Sequence, residues 1–153
     1  MLGEVIDLDE PPQLLLQHAC ELNHEGIVAK RVDAPYRSGR VQSWIKVKCI
    51  RRLALPIIGY VPGKGNSISA IRLARREGRE LVYAGKAGTG FTVKSAQSVR
   101  DRLAPLHRKT PPLAMPLKRP DTIWVEPEVE AAIAFTELTE DGMLRHASFK
   151  GLK

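Results

Sequence analysis

The stretch from Glu25 to Lys48 constrains this chain more than any other. It reads Glu25-Gly26-Ile27-Val28-Ala29-Lys30-Arg31, then Tyr36-Arg37-Ser38-Gly39-Arg40, then Trp44-Ile45-Lys46-Val47-Lys48. The pattern is two short apolar strands joined by a basic loop. Lys46 and Lys48 stand two apart, so both side chains leave one face of the second strand. Adjacent ammonium groups repel and make poor packing elements, but they suit a shared anion such as a phosphate. Glu25 opens the first strand with a carboxylate, a ligand for a hard cation beside that anion, or else an ion-pair partner for a nearby base. Lys30 has the opposite strand parity from Glu25. Trp44 shares the Lys46/Lys48 face, and a core Trp is as good a reading of it as a binding one.

The 153 residues correspond to one domain, or to one domain plus a piece of another. Apolar residues make up 43%, enough for a globular core. No 18-residue apolar run occurs, so no membrane span is expected. Glu4, Asp7, Asp9 and Glu10 give an acidic start that is wrong for a signal peptide. Cys20 and Cys49 lack a second pair and a His at ligand spacing. They read as buried thiols in a reducing cytosol, not as a zinc site or a disulfide framework. Net charge is +7 but unevenly spread: residues 51–109 hold 13 Lys/Arg against 3 Asp/Glu. A segment this basic is the footprint of a polyanionic partner, or a solvated basic face.

Leu14, Leu15, Ala19 and Leu22 predict a short amphipathic helix ending near Asn23. Arg51-Arg52 reads as a hinge. The pattern beyond it is mainly β, with strands expected over Leu53–Tyr60, around Ile68–Leu73 and over Leu81–Ala84. Between the first two, Pro62-Gly63-Lys64-Gly65-Asn66-Ser67 is a turn. Thr92 caps a helix whose stripe is Val93, Ala96, Val99, Leu103 and Leu106. A Pro-rich linker covers residues 111–120. Strands around Val129–Leu138 and Leu144–Phe149 flank an Asp141-Gly142 hairpin signal. Three strands, a helix and two strands match the OB-fold, a partly open Greek-key barrel. The expected fold is therefore mainly β: an OB barrel with one helix over residues 51–153, preceded by two strands in residues 1–50. Those first 50 residues are too few to bury a core alone.

The Glu-Gly-Ile-Val-x-Lys-Arg and Trp-Ile-Lys-Val-Lys strands resemble motifs IV and V of the covalent nucleotidyltransferases. The likeness is to ATP-dependent DNA ligases, and among them to the ligase domain of bacterial non-homologous end-joining enzymes. Tyr83-Ala84-Gly85-Lys86-Ala87-Gly88-Thr89-Gly90-Phe91 is similar to a tract of the family's second domain. Arg145-His146-Ala147-Ser148-Phe149-Lys150-Gly151-Leu152 resembles the start of motif VI, with Ala147 in place of a common proline and Lys153 where an Arg is usual. The family's nucleophile motif, Lys-x-Asp-Gly, does not occur. The resemblance thus implies the C-terminal portion of a ligase, with residues 1–50 a remnant of the adenylation domain.

By that resemblance, Lys46 and Lys48 contact the α-phosphate of ATP, and Lys30, Arg145 and Lys150 join the nucleotide contacts. Glu25 holds Mg²⁺. Arg37 and Arg40 on the loop, with Lys64 and Lys86, meet the DNA backbone. Implied partners are duplex DNA with nicks or ends, an upstream adenylation domain and end-joining factors such as Ku, in a cytoplasmic, nucleoid-associated setting. The alternative is a free-standing OB-type nucleic-acid-binding module without catalysis. An RNA-capping guanylyltransferase fragment also fits motifs IV and V. Neither glycine-rich tract meets the spacing of a P-loop or a dinucleotide fingerprint, so both read as barrel turns. The four histidines form no triad or metal spacing.

Overall fold

The computed structural model describes residues 11–22, 24–30, 33, 35, 38–39 and 44–153, without the side chains of Pro12 and Lys30. The chain forms two compact units, Met1–Cys49 and Ile50–Lys153. In the first, helix α1 (Pro12–Glu21) starts with proline in its first turn, where a missing N–H costs nothing. It ends with the Leu22 N–H donating to the His18 carbonyl at 3.0 Å. Strand β1 (Gly26–Lys30) pairs antiparallel with β2 (Trp44–Lys48), with Gly26 opposite Lys48 and Lys30 opposite Trp44. Gly26 is required by that pairing. A Cβ there would run into the Val47 carbonyl oxygen and stand 2.8 Å from the Lys48 Cα.

The second unit opens with β3 (Arg51–Pro62), β4 (Ile68–Glu77) and β5 (Glu80–Ala87). Helix α2 (Val93–Leu103) and a 3₁₀ turn (Ala104–Leu106) follow, then the short strands β6 (His107–Arg108) and β7 (Ile123–Val125). The last strands are β8 (Glu130–Phe135), β9 (Glu137–Leu138), β10 (Leu144–Arg145) and β11 (Ser148–Leu152). The main sheet runs β11-β8-β3-β4-β5. A parallel bridge between Thr89 and Ser148 brings the end of β5 to β11 and closes the barrel. That order, with α2 between β5 and β8, is the Greek-key course of the OB-fold. Arg51 and Arg52 pair with Phe135 and Ala134 as the first rungs of the β3–β8 ladder, just past the division between the two units.

The barrel interior is packed with Ile57, Ile71, Leu73, Ile133, Val125 and Phe149. Ala96, Val99 and Leu103 of α2 cover one end, whereas Val93 is 77% exposed and leaves the expected stripe. Thr92 caps the helix in a reciprocal box with Ser95: the Thr92 hydroxyl accepts from the Ser95 N–H at 3.1 Å, and the Ser95 hydroxyl accepts from the Thr92 N–H at 2.8 Å. Residues 111–120 are not a free linker. Leu113 and Leu117 pack on Ile58, Ala74 and Trp124, and the Ala114 N–H donates to the Leu81 carbonyl at 3.1 Å. Two leucines among the prolines supply the apolar surface that a linker would lack.

Candidate nucleotide-phosphate site

The lysine pair lies in the first unit. The β1–β2 register fixes Lys46 opposite Val28 and Lys48 opposite Gly26, so both ammonium groups rise from one face. Glu25 sits one residue before β1, where regular alternation no longer governs its direction. Its carboxylate reaches both lysines, with Oε1 3.4 Å from Lys46 Nζ and 3.6 Å from Lys48 Nζ. All three side chains are largely open to water. The hydrogen bond from Lys46, and then the charges of Lys46 and Lys48, hold the Glu25 carboxyl below its ordinary value. Two cations thus converge on one carboxylate oxygen, and Glu25 makes the ion pair with nearby bases that its position in the sequence also allowed.

Trp44 is 42% exposed on the same face, so it is not a core tryptophan here. Lys30 pairs with Trp44 through its backbone, while its side chain lies outside the described residues. Arg37 and Arg40 also lie outside them. Ile45, on the far face of β2, is 62% exposed. Among the described residues, a two-stranded ribbon and one helix leave that face open. Among the described residues, no three His, Cys, Asp or Glu side chains cluster to hold a metal. Glu25 supplies one carboxylate, which suits a cation that takes most of its shell from water and phosphate.

The cysteines correct the expectation of free thiols. Cys20, in the last turn of α1, is disulfide-bonded to Cys49, just past β2, with the Cα atoms 5.5 Å apart. Only Cys49 is fully buried. A separation of 29 residues hides this pairing in the sequence, because only the docking of α1 beside the β1–β2 ribbon brings the two together.

In the second unit, Arg145 pairs with Glu137 at 2.8 Å across β9 and β10. Lys150, on β11, borders a different depression with Arg52, Thr136, His146 and Ser148. The two motif VI bases therefore line separate grooves. His146 adopts φ 52°, with its Nδ1 3.0 Å from the Thr136 hydroxyl. Lys64 is exposed in the β3–β4 turn, and Lys86 is exposed on β5 opposite Arg72. The glycine tract closes the barrel. A Cβ on Gly90, at φ +87°, would collide with the Phe149 carbonyl oxygen.

Sequence reasoning missed Arg72. It is the buried charged residue of the barrel wall, 6% exposed. Its guanidinium donates to Tyr83 Oη at 2.8 Å, to Thr122 Oγ1 at 3.0 Å and to both Asp121 carboxylate oxygens at 3.2 Å. It thereby ties β4 and β5 to the end of the Pro-rich segment. No local signal pointed to it, because Asp121 and Thr122 lie 49 and 50 residues beyond Arg72 in the chain.

Residues 64–153 match the family model described as the ATP dependent DNA ligase C terminal region. The chain belongs to the ATP-dependent DNA ligase family. It is 40% identical to the multifunctional non-homologous end joining protein LigD of Pseudomonas aeruginosa, over 95% of this chain and 18% of that protein. The Mycolicibacterium smegmatis LigD is 35% identical over 90% of the chain and 19% of the relative. The chain thus spans less than a fifth of these relatives. The ligase domain of Mycobacterium tuberculosis LigD superposes with TM-score 0.66 at 29% identity, covering 90% of this chain and 47% of that one. A mycobacterial DNA ligase D complexed with ATP and MES gives TM-score 0.61 at the same identity, covering 90% of this chain and 46% of that one. The C-terminal ligase region implied by motifs IV, V and partial VI with the OB domain is therefore the region present.

Proposed function

We propose that this chain forms the phosphate-binding and DNA-clamping C-terminal part of an enzyme that seals nicks or breaks in duplex DNA. One observation carries the reading: two motif-strand ammonium groups lie within 3.4 and 3.6 Å of a single anionic oxygen. Residues 1–50 are the end of an adenylation domain, and residues 51–153 are the DNA-binding OB domain. Lys46 and Lys48 bind the α-phosphate of ATP and offset the charge that builds during phosphoryl transfer. Glu25 would give one oxygen to a Mg²⁺ ion, which when bound would neutralise phosphate charge. Lys30 adds a nucleotide contact, and Arg145 and Lys150 serve the pyrophosphate end. Arg37, Arg40, Lys64 and Lys86 hold the DNA backbone by charge, without reading sequence. The nucleophilic lysine comes from an upstream segment, and end-joining factors such as Ku meet the enzyme at DNA ends in the cytoplasm, at the nucleoid.

Reconstitution tests the reading. This chain, mixed with an upstream adenylation segment carrying Lys-x-Asp-Gly, should restore nick sealing. Alone it should take no label from ATP. Lys48→Ala should slow adenylation on the order of 10²-fold in the reconstituted enzyme without changing its melting. Duplex binding retained with no sealing under any pairing would instead make the chain a free-standing nucleic-acid-binding module.

A further inference from the structure

We propose that Cys20 and Cys49 form a reversible oxidation site that fastens the lysine-bearing ribbon to helix α1. The cross-link itself needs nothing from the ligase reading, whereas its reversibility rests on the DNA-repair role and cytoplasmic setting proposed there. Backbone hydrogen bonds order the segment around each cysteine. The Cys49 N–H donates to the Glu25 carbonyl at 2.8 Å, which fixes it beside the start of β1. The end of α1 is held by the Leu22 N–H on the His18 carbonyl at 3.0 Å and the His24 N–H on the Ala19 carbonyl at 2.9 Å. With the bond formed the Cα atoms stand 5.5 Å apart, within the ordinary disulfide range. The two sulfurs differ in access. Cys49 is 2% exposed, whereas Cys20 is only partly covered. Paired thiols of a DNA-repair protein in a reducing compartment are oxidised transiently, as sensors, more often than permanently.

The access difference sets the order of the exchange. The Cys20 thiolate attacks one sulfur of a small-molecule disulfide such as oxidised glutathione. That S–S bond breaks, a mixed disulfide forms on Cys20, and one thiolate leaves. Cys49 then gives up its proton and attacks Cys20 Sγ, which expels the second thiolate. Two protons pass from the protein thiols to the two leaving thiolates. The protein loses two electrons and the oxidant gains them. Because the bond closes a loop containing both β1 and β2, it removes open conformations of the ribbon that carries Lys46 and Lys48. For a loop of about 30 residues, opening should become rarer on the order of a hundredfold.

The test starts from the fully reduced 153-residue chain, incubated with oxidised glutathione and then alkylated under native conditions. Intact mass should show the loss of two hydrogen atoms and no alkyl label, reversed by dithiothreitol. Trypsin cleavage after Lys46 and Lys48, followed by peptide mapping, should slow on the order of a hundredfold in the oxidised chain. Cys49→Ser should trap the glutathione adduct on Cys20. In Cys20→Ser, Cys49 should resist both glutathione and alkylation while the fold persists. The proposal is overturned if the oxidised parent still takes label on both cysteines, or if Cys49 carries the adduct. It is equally overturned if the cross-link forms without slowing cleavage.

Discussion

Arg72→Ala tests what holds the Pro-rich segment on the barrel. The wild-type guanidinium makes hydrogen bonds to the Tyr83 and Thr122 hydroxyls and to both Asp121 oxygens. Each hydroxyl bond from the charged guanidinium contributes about 1.5 kcal/mol net. Asp121 is 52% exposed, so its ion pair is screened and adds little. Truncation also relieves the desolvation of the guanidinium, which offsets the packing lost with the side chain. The expected loss is about 3 kcal/mol. For a unit of roughly 100 residues this lowers Tm by about 12–24 °C. Thermal unfolding would be followed by fluorescence of the buried Trp124, in a Trp44→Phe background. Tyr83→Phe alone should cost about 1.5 kcal/mol, and the double mutant should show coupling of similar size. A Tm change under about 4 °C for Arg72→Ala, or no coupling to Tyr83, would refute the idea that this cluster clamps residues 111–122.

Three further outcomes follow from burial and charge. The Glu25 carboxyl is held below its ordinary 4.5 by Lys46 and Lys48, so its ion pairs are intact above that value. They should be lost as pH falls through the depressed folded value, and carboxyl NMR should place the Glu25 midpoint below 4.5, moving up in Lys46→Ala. Ile45→Ala should change stability by less than about 0.5 kcal/mol in this chain. Phe149→Ala, at a ring 4% exposed and stacked on Phe91 with centroids 4.5 Å apart, should cost about 3–5 kcal/mol in urea unfolding.

The sequence by itself determined the features that depend on local chemistry or strand parity. Lys46 and Lys48 had to share a face because side chains alternate along a strand, whatever else the chain did. Thr92 had to cap α2, because a hydroxyl three residues before a second hydroxyl satisfies the first-turn amides locally. The alternation of apolar residues and the turns between them were enough to specify an OB barrel. Tertiary structure decided everything that depends on residues distant in the chain. Glu25 joined the lysines because it leaves the strand before parity applies. Arg145 and Lys150 parted because they border different grooves. Leu113 and Leu117 made a packed segment of a proline-rich stretch only because β3 and β7 offered Ile58 and Trp124 as a surface. The Arg72 cluster and the Cys20–Cys49 bond were invisible for the same reason. A buried charge or a cross-link is specified by partners 49 and 29 residues away, and no local periodicity records such a distance.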